Sequence, residues 1–225
     1  MLVIGLTGSI GMGKSTAAAM LRRAGLPVFD ADRTVHRLMG PGGAAVAPLL
    51  KAFPEISAEQ SVATGVDRAA LSNHVAKNPD ALKVLEAVLH PLVRQAQRKA
   101  RRQAAIKGAR ILILDIPLLF ETGGDQACDA VFVVSAPALI QRQRVLRRPG
   151  MTAQKLNTFL AKQMPDRVKR RRADRVIQTG LGFAFARRQM LRAIAEAPGI
   201  ARQNRKSPAH PPLFGPSNRN HFRRR

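Results

Sequence analysis

The stretch that decides the fold is Gly8-Ser9-Ile10-Gly11-Met12-Gly13-Lys14-Ser15, which matches the pattern G-x-x-x-x-G-K-[ST] in full. It follows the apolar run Leu2 to Thr7, which predicts a buried strand, and it opens a helical pattern that extends from Gly13 to Ala24. Glycines let the backbone curl around phosphate oxygens, and a helix N-terminus attracts negative charge. Lys14 can neutralise the β- and γ-phosphates, and Ser15 can bind magnesium. The predicted ATP-binding residues are Gly8, Ser9, Ile10, Gly11, Met12, Gly13, Lys14, Ser15 and Thr16.

Four more apolar runs predict the remaining strands of a sheet: Pro27 to Asp30, Ile111 to Asp115, Ala130 to Val134 and Arg175 to Ile177. Continuous apolar strands separated by helices are typical of a parallel sheet that is covered on both faces. The sequence therefore predicts an α/β fold with a parallel five-stranded sheet flanked by helices.

Two insertions divide this core, which we predict to comprise residues 1–32, 110–138 and 175–198. The first insertion, residues 33–109, predicts a helical lobe in which Asn78 caps a helix that is interrupted at His90-Pro91 and stops at Gly108. The second, residues 139–174, is rich in Lys and Arg and predicts a basic insertion after the fourth strand. A last amphipathic helix is predicted from Phe183 to Ala197, and residues 199–225 predict a disordered basic tail.

The formal net charge of +24 suggests a nucleic-acid partner, but the rest of the composition limits that interpretation. Only 4% of the residues are aromatic, which is few for a protein that stacks bases on a sheet. Cys128 is the single cysteine, so an internal disulfide and a paired-cysteine zinc site are excluded. No signal peptide or membrane helix is recognisable. We expect a cytoplasmic protein, favour a monomer, and expect no specific nucleic-acid partner and no membrane association.

Two carboxylates follow the second predicted strand, in Asp30-Ala31-Asp32. Ligands of open α/β sheets bind at the carboxyl ends of strands, and strand alternation would point both side chains the same way. Either aspartate could cap a following helix, and either could take a proton from a substrate hydroxyl or hold magnesium. On position, we favour Asp32 for the chemistry. Asp115 ends another strand and could assist magnesium or cap the next segment of the chain.

The order of motifs resembles the dephospho-CoA kinase family from about Leu2 to Ala195. Besides the phosphate loop and Asp30-Ala31-Asp32, the shared elements are Leu89-His90-Pro91-Leu92, Pro117-Leu118-Leu119-Phe120-Glu121 and Gln163-Met164-Pro165. The resemblance implies a P-loop NTPase fold in which residues 33–109 form an inserted helical CoA-binding lobe and residues 139–174 form a mobile basic lid. It also implies transfer of the γ-phosphate of ATP, with Mg²⁺, to the ribose 3′-hydroxyl of dephospho-CoA.

The resemblance also implies roles for individual residues. Asp32 aligns with the base, Lys14 with the phosphate residue, and Ser15 with the magnesium ligand. Arg144 and Arg148 align with lid arginines that neutralise the transferred phosphoryl group, and Gln141, Arg144 and Arg148 have the spacing of one helix face. His90, Pro117, Leu118 and Glu121 join Asp32 as predicted substrate-binding residues, although His90 could mark only a helix break and Pro117 and Leu118 could serve packing. Most of residues 167–172 are expected to form a solvated basic face.

This chain departs from the family where Pro149 follows Arg148, and where Gln178-Thr179-Gly180 replaces a common Asp-Asn near the adenine. Two alternative functions stay open at this point. One is a P-loop kinase for another small hydroxyl acceptor, such as a nucleoside monophosphate or shikimate. The other is a basic NTPase that binds nucleic acid.

Overall fold

The computed structural model describes residues 1–56 and 64–206, and its centre is a five-stranded sheet. The strands are β1 (Leu2–Thr7), β2 (Val28–Asp30), β3 (Ile111–Asp115), β4 (Ala130–Ser135) and β5 (Arg175–Gln178), in the spatial order β2-β3-β1-β4-β5. β1 pairs in parallel with β3 and β4, and β4 pairs in parallel with β5. The predicted α/β fold with a parallel sheet is therefore confirmed.

Helices connect these strands, and the chain divides into two compact units. Residues 1–28 together with the described residues from 111 onward form the sheet unit, and Phe29–Arg110 forms the helical unit. Among the described residues, none of the helices is long and apolar enough to cross a membrane. The helices are α1 (Lys14–Arg23), α2 (Ala31–Met39), α3 (Val46–Ala52), α4 (Arg68–Lys77), α5 (Pro79–Ile106), α6 (Ala138–Leu146), α7 (Ala153–Ala161), α8 (Asp166–Arg172) and α9 (Phe183–Lys206), with short 3₁₀ turns at Pro54–Ile56 and Gly124–Ala127.

Strand β4 shows why the sheet is apolar on both faces. Phe132 and Val134 pack in one buried cluster, which also contains residues of α1 and α9. Val131 and Val133 point to the opposite face and pack with Leu119 and Phe120. Because alternate side chains enter two separate clusters, every residue of β4 is buried, and the strand reads as a continuous apolar run.

Helix α5 is the main element of the helical unit, and it differs from the sequence prediction at His90-Pro91. Its N-terminus is capped as predicted, since the Asn78 side chain accepts hydrogen bonds from the backbone N–H groups of Asp80 and Ala81. The predicted interruption is wrong, because the helix continues through Pro91. Proline removes one backbone donor, but Leu89 and Leu92 pack on either side of it in the same apolar cluster. Packing therefore outweighs the local cost of the proline.

Helix α9 is longer than predicted and continues through Pro198 to Lys206. The prediction of a disordered tail is thus wrong for residues 199–206, and residues 207–225 lie outside the described residues. Ile200 and Ala201 are buried, and Ile200 packs in the cluster that covers one face of the sheet. Asn204 donates hydrogen bonds to the Asp129 carbonyl and to the Asp174 carboxylate. These tertiary contacts hold a segment whose composition alone predicted disorder.

The single cysteine, Cys128, packs against the cluster on the second face of the sheet. Burial raises the pKa of its thiol to about 12, and the nearby carboxylates of Asp125, Asp129 and Asp174 contribute to that rise. The thiol is therefore neutral at physiological pH, because its folded pKa lies far above it. A neutral buried thiol is a poor nucleophile, so Cys128 is a structural residue.

The contribution of the end of α9 can be measured by the substitution Ile200→Ala. Removing this buried side chain should lower the free energy of unfolding by about 3 kcal/mol, because it leaves a cavity in the core. Arg202→Ala is a matched control, since Arg202 is exposed on the same turn and should change stability by less than about 0.5 kcal/mol. Urea denaturation measures both, and equal small effects would contradict the packing of α9.

Candidate active site

The phosphate loop occupies the turn between β1 and α1, as the sequence predicts. Gly11 and Gly13 have positive φ values of 76° and 91°, a backbone conformation that favours glycine. A Cβ atom on Gly8 would lie 2.7 Å from the carbonyl oxygen of Val134, so no side chain fits there. Gly13 precedes the first turn of α1, and no side chain caps this helix N-terminus. The first amides of α1 are therefore suited to binding an anion.

Lys14 and Asp115 form an ion pair beside the loop. The Lys14 Nζ atom lies 2.8 Å from Asp115 Oδ1, and the side chains are 14% and 3% exposed. Asp115 is the last residue of β3, in register with Leu6 of β1, so the sheet positions it one residue before the end of β1. The structure thus places Asp115 at the phosphate loop, where the sequence had left a magnesium role and a helix cap open.

Arg144 contacts the segment that follows β5. Its Nη1 atom donates to the Thr179 Oγ1 atom at 3.0 Å, and its Nη2 atom donates to the Thr179 carbonyl at 2.6 Å. The Thr179 hydroxyl in turn donates to the Met12 carbonyl of the phosphate loop at 2.7 Å. Thr179, which departs from the family pattern, therefore links Arg144 to the loop. Sequence reasoning assigned Thr179 no role.

The spacing predicted that Arg148 shares a helix face with Arg144, but in the structure it does not. Helix α6 ends at Leu146, and Arg147 occupies the C-cap position. Pro149 explains this early end, since a proline disfavours helical conformation in the residue before it. The prediction of one face for Gln141, Arg144 and Arg148 is therefore wrong for Arg148.

Two glutamines hold the tip of the phosphate loop at Ile10. The Gln141 side chain donates to the Ile10 carbonyl at 2.8 Å, and the Ile10 N–H donates to the Gln163 side chain at 3.0 Å. Sequence reasoning missed both contacts. The available signals were the position of Gln141 on the Arg144 face and the Gln163-Met164-Pro165 motif.

The predicted substrate-binding segment lies next to the phosphate loop but is partly engaged by protein groups. The Thr7 hydroxyl donates to the Pro117 carbonyl at 2.9 Å, and Leu118 is 39% exposed. The Glu121 Oε1 atom accepts a hydrogen bond from the Met164 N–H at 2.8 Å and lies 2.8 Å from Lys169 Nζ. Glu121 is therefore bound to α8 and the residues before it.

The expected solvated face on residues 167–172 is only partly present. Arg167, Arg170 and Arg171 are exposed, whereas Lys169 is fully buried. Arg172 forms an ion pair with Asp125 at 2.8 Å, and its guanidinium lies over the Phe120 ring, 4.6 Å from the centroid. Helix α8 thus contacts the segment after β3 through the side chains of Lys169 and Arg172. A run of basic residues in a sequence does not indicate which of them make such contacts.

Asp32 and His90 belong to the helical unit. Asp30, the last residue of β2, caps α2 by accepting a hydrogen bond from the Arg33 N–H at 2.9 Å. Asp32 lies in the first turn of α2 and is exposed, so the expected strand alternation of Asp30 and Asp32 is wrong because the strand ends first. His90 is exposed on α5, beside the buried Leu89. Of the two aspartates that the sequence offered as a helix cap, the structure thus shows Asp30 in that position.

The residues around the loop fit magnesium by their chemistry. Ser15 is exposed at the start of α1, and the Asp115 carboxylate supplies hard oxygen atoms, which Mg²⁺ prefers. No group of three or more metal-binding side chains is present among the described residues. Where Mg²⁺ binds beside phosphates, the phosphates and water complete its coordination around one or two carboxylates.

Comparisons with known proteins identify related sequences and structures. A family profile described as dephospho-CoA kinase matches residues 2–182. The dephospho-CoA kinase of Rhodospirillum rubrum is 55% identical over 181 residues, covering 80% of this chain and 84% of that protein. The dephospho-CoA kinase of Rhodopseudomonas palustris (strain HaA2) is 47% identical over 208 residues, covering 92% and 100%.

Solved structures also superpose on this chain. The protein TT1252 from Thermus thermophilus superposes with a TM-score of 0.75 at 34% identity, covering 86% of this chain and 96% of that one. A dephospho-CoA kinase from Campylobacter jejuni superposes with a TM-score of 0.64 at 26% identity, covering 90% and 98%.

Replacing Lys14 by alanine tests the phosphate loop. The variant should bind ATP about 10- to 100-fold more weakly, because a charged hydrogen bond contributes about 1.5–3 kcal/mol. Calorimetric titration with ATP measures the affinity, and a turnover assay should show a parallel loss. Lys162→Ala, which removes an exposed lysine of the sheet unit, is the control. Normal ATP affinity in Lys14→Ala would contradict the assignment.

Proposed function

Because the chain belongs to the dephospho-CoA kinase family, we propose that it transfers the γ-phosphate of ATP to the ribose 3′-hydroxyl of dephospho-CoA. The products are coenzyme A and ADP. The observation that carries the proposal is the match of the family profile over residues 2–182, on a chain whose phosphate loop presents Lys14 beside Asp115. That match favours dephospho-CoA over the other small acceptors and over a nucleic-acid-binding NTPase.

The phosphate loop supplies the donor half of the reaction. Backbone N–H groups of Gly11 to Ser15 and the N-terminus of α1 would surround the β- and γ-phosphates. Lys14 would exchange its contact with Asp115 for phosphate oxygens, a change that its flexible side chain permits. Ser15, with Asp115, would hold Mg²⁺, which neutralises phosphate charge when bound.

Asp32 is assigned to the acceptor half. Its exposed carboxylate would take the proton of the 3′-hydroxyl as that oxygen bonds to the γ-phosphorus and the bond to the ADP oxygen breaks. Asp30 is engaged in capping α2, which supports Asp32 as the base. His90, Pro117, Leu118 and Glu121 are proposed to line the acceptor site. For Glu121 this means a role through the backbone around it, since its carboxylate contacts Met164 and Lys169.

Two arginines are proposed to stabilise the transferred group. Arg144 is held next to the phosphate loop by Thr179, which supports a role in binding or stabilising the nucleotide. Arg148 lies beyond the end of α6 and would have to act from the following turn. Guanidinium groups suit this role because they offer paired donors to phosphate oxygens. A cytoplasmic location and a monomeric state are part of the same proposal.

An acceptor panel tests the function. The purified protein with Mg²⁺ and ATP should release ADP rapidly with dephospho-CoA and at background rates with AMP, shikimate or single-stranded DNA. A coupled ADP assay measures each rate. Rapid ADP release with another acceptor and none with dephospho-CoA would overturn the proposal.

Asp32→Asn tests the assigned base. The variant should lose about 100-fold or more in kcat, because a positioned general base contributes about 10²- to 10⁴-fold. Its ATP affinity should not change, because the phosphate loop is intact. Asp80→Asn is a suitable control, since Asp80 is an exposed carboxylate on α5. An unchanged kcat in Asp32→Asn would show that another group takes the proton.

A further inference from the structure

An ion pair between a fully buried lysine and a partly buried glutamate connects helix α8 to the segment after β3, and neither side chain belongs to the phosphate loop. Lys169 is 0% exposed and pairs with Glu121 at 2.8 Å. We propose that Lys169 is a positioning residue for phosphoryl transfer, which fixes the segment Pro117 to Glu121 relative to the phosphate loop. This inference rests on the proposed function, because that function places the segment at the acceptor.

The first part of the connection passes through the Pro117 carbonyl. This oxygen accepts hydrogen bonds from the Thr7 hydroxyl at 2.9 Å and from Lys169 Nζ at 3.3 Å. Thr7 is the last residue of β1, directly before Gly8 of the phosphate loop. Lys169 and Thr7 therefore donate to the same carbonyl oxygen, that of Pro117, and the loop begins directly after Thr7.

The second part passes through Glu121 and returns to the loop. Glu121 Oε1 contacts Lys169 and also accepts a hydrogen bond from the Met164 N–H at 2.8 Å. The neighbouring residue, Gln163, accepts a hydrogen bond from the Ile10 N–H at 3.0 Å. The two ends of this chain of contacts, Thr7 and Ile10, flank the start of the phosphate loop. Lys169 lies at the point where the two parts meet.

The burial of Lys169 favours positioning over stability as its role. Removing an ammonium and a carboxylate from water has a large desolvation cost, and a buried ion pair is often no more stabilising than apolar side chains of similar size. The ion pair instead orients the groups around it, because the ammonium contacts both the Pro117 carbonyl and the Glu121 carboxylate. An apolar side chain could fill the space but could not orient these two groups.

Lys169→Met tests the proposal, because methionine has a similar length and no charge. The variant should show a KM for dephospho-CoA that rises about tenfold and a lower kcat, while the KM for ATP stays nearly unchanged because Thr7, Gln163 and the phosphate loop are intact. Arg170→Met is the matched control, since Arg170 is the exposed neighbour on α8. Wild-type kinetic constants in a folded Lys169→Met protein would overturn the proposal.

A double variant, Lys169→Met with Glu121→Gln, separates positioning from folding. It removes both charges of the pair but keeps an oxygen for the Met164 N–H, so its Tm should return toward the wild-type value. The raised KM for dephospho-CoA should persist. Recovery of both Tm and wild-type kinetics would show that the pair serves stability alone, and failure of both variants to fold would lead to the same conclusion.

The wild-type protein measured in the same assay distinguishes the role of Lys169 from the proposed function. If the wild type does not phosphorylate dephospho-CoA, the proposed function fails. If it does, and the variants behave as the control does, only the role of Lys169 fails.

Discussion

The steric constraint on the phosphate loop determines how the rest of the sheet unit is arranged. A Cβ on Gly8 would meet Val134, and one on Gly11 would lie 2.5 Å from the Val145 side chain. The loop can therefore pass this close to β4 and α6 only as glycine. This close approach brings Gln141 to Ile10, and Thr179 joins Met12 to Arg144. The chemistry of the site thus depends on residues that have no side chains.

Much of the fold could be predicted because its signals are local. Each strand of the sheet is a short apolar run, and the strand–loop–helix order around Gly8 to Ser15 is recognisable without any long-range information. Asn78 before Pro79 is a local cap signal, and it marks the start of α5 correctly. Lys14 could be placed at the start of α1, after the glycines of the loop, for the same reason.

The errors at Pro91 and Pro198 share a physical cause, which is that distant contacts override local preference. Each of these prolines predicted an end or an interruption, but Leu89 and Ile200 are buried beside them and Leu92 is partly buried. The role of Lys169 could not be predicted, because a lysine in a basic run is normally solvated and its partner Glu121 lies 48 residues away. Sequence patterns report periodicity and local geometry, whereas buried ion pairs depend on the folded arrangement.

Transfer of the γ-phosphate of ATP to one hydroxyl of dephospho-CoA is the reaction that the proposed site residues serve. The most direct measurement is ³¹P NMR of the product formed with Mg²⁺ and ATP, with the position of the new monoester assigned through its coupling to the ribose protons. One new phosphate monoester is expected, on the ribose 3′-oxygen, in a product identical to coenzyme A. Inorganic phosphate as the product, or a monoester at any other position, would contradict it.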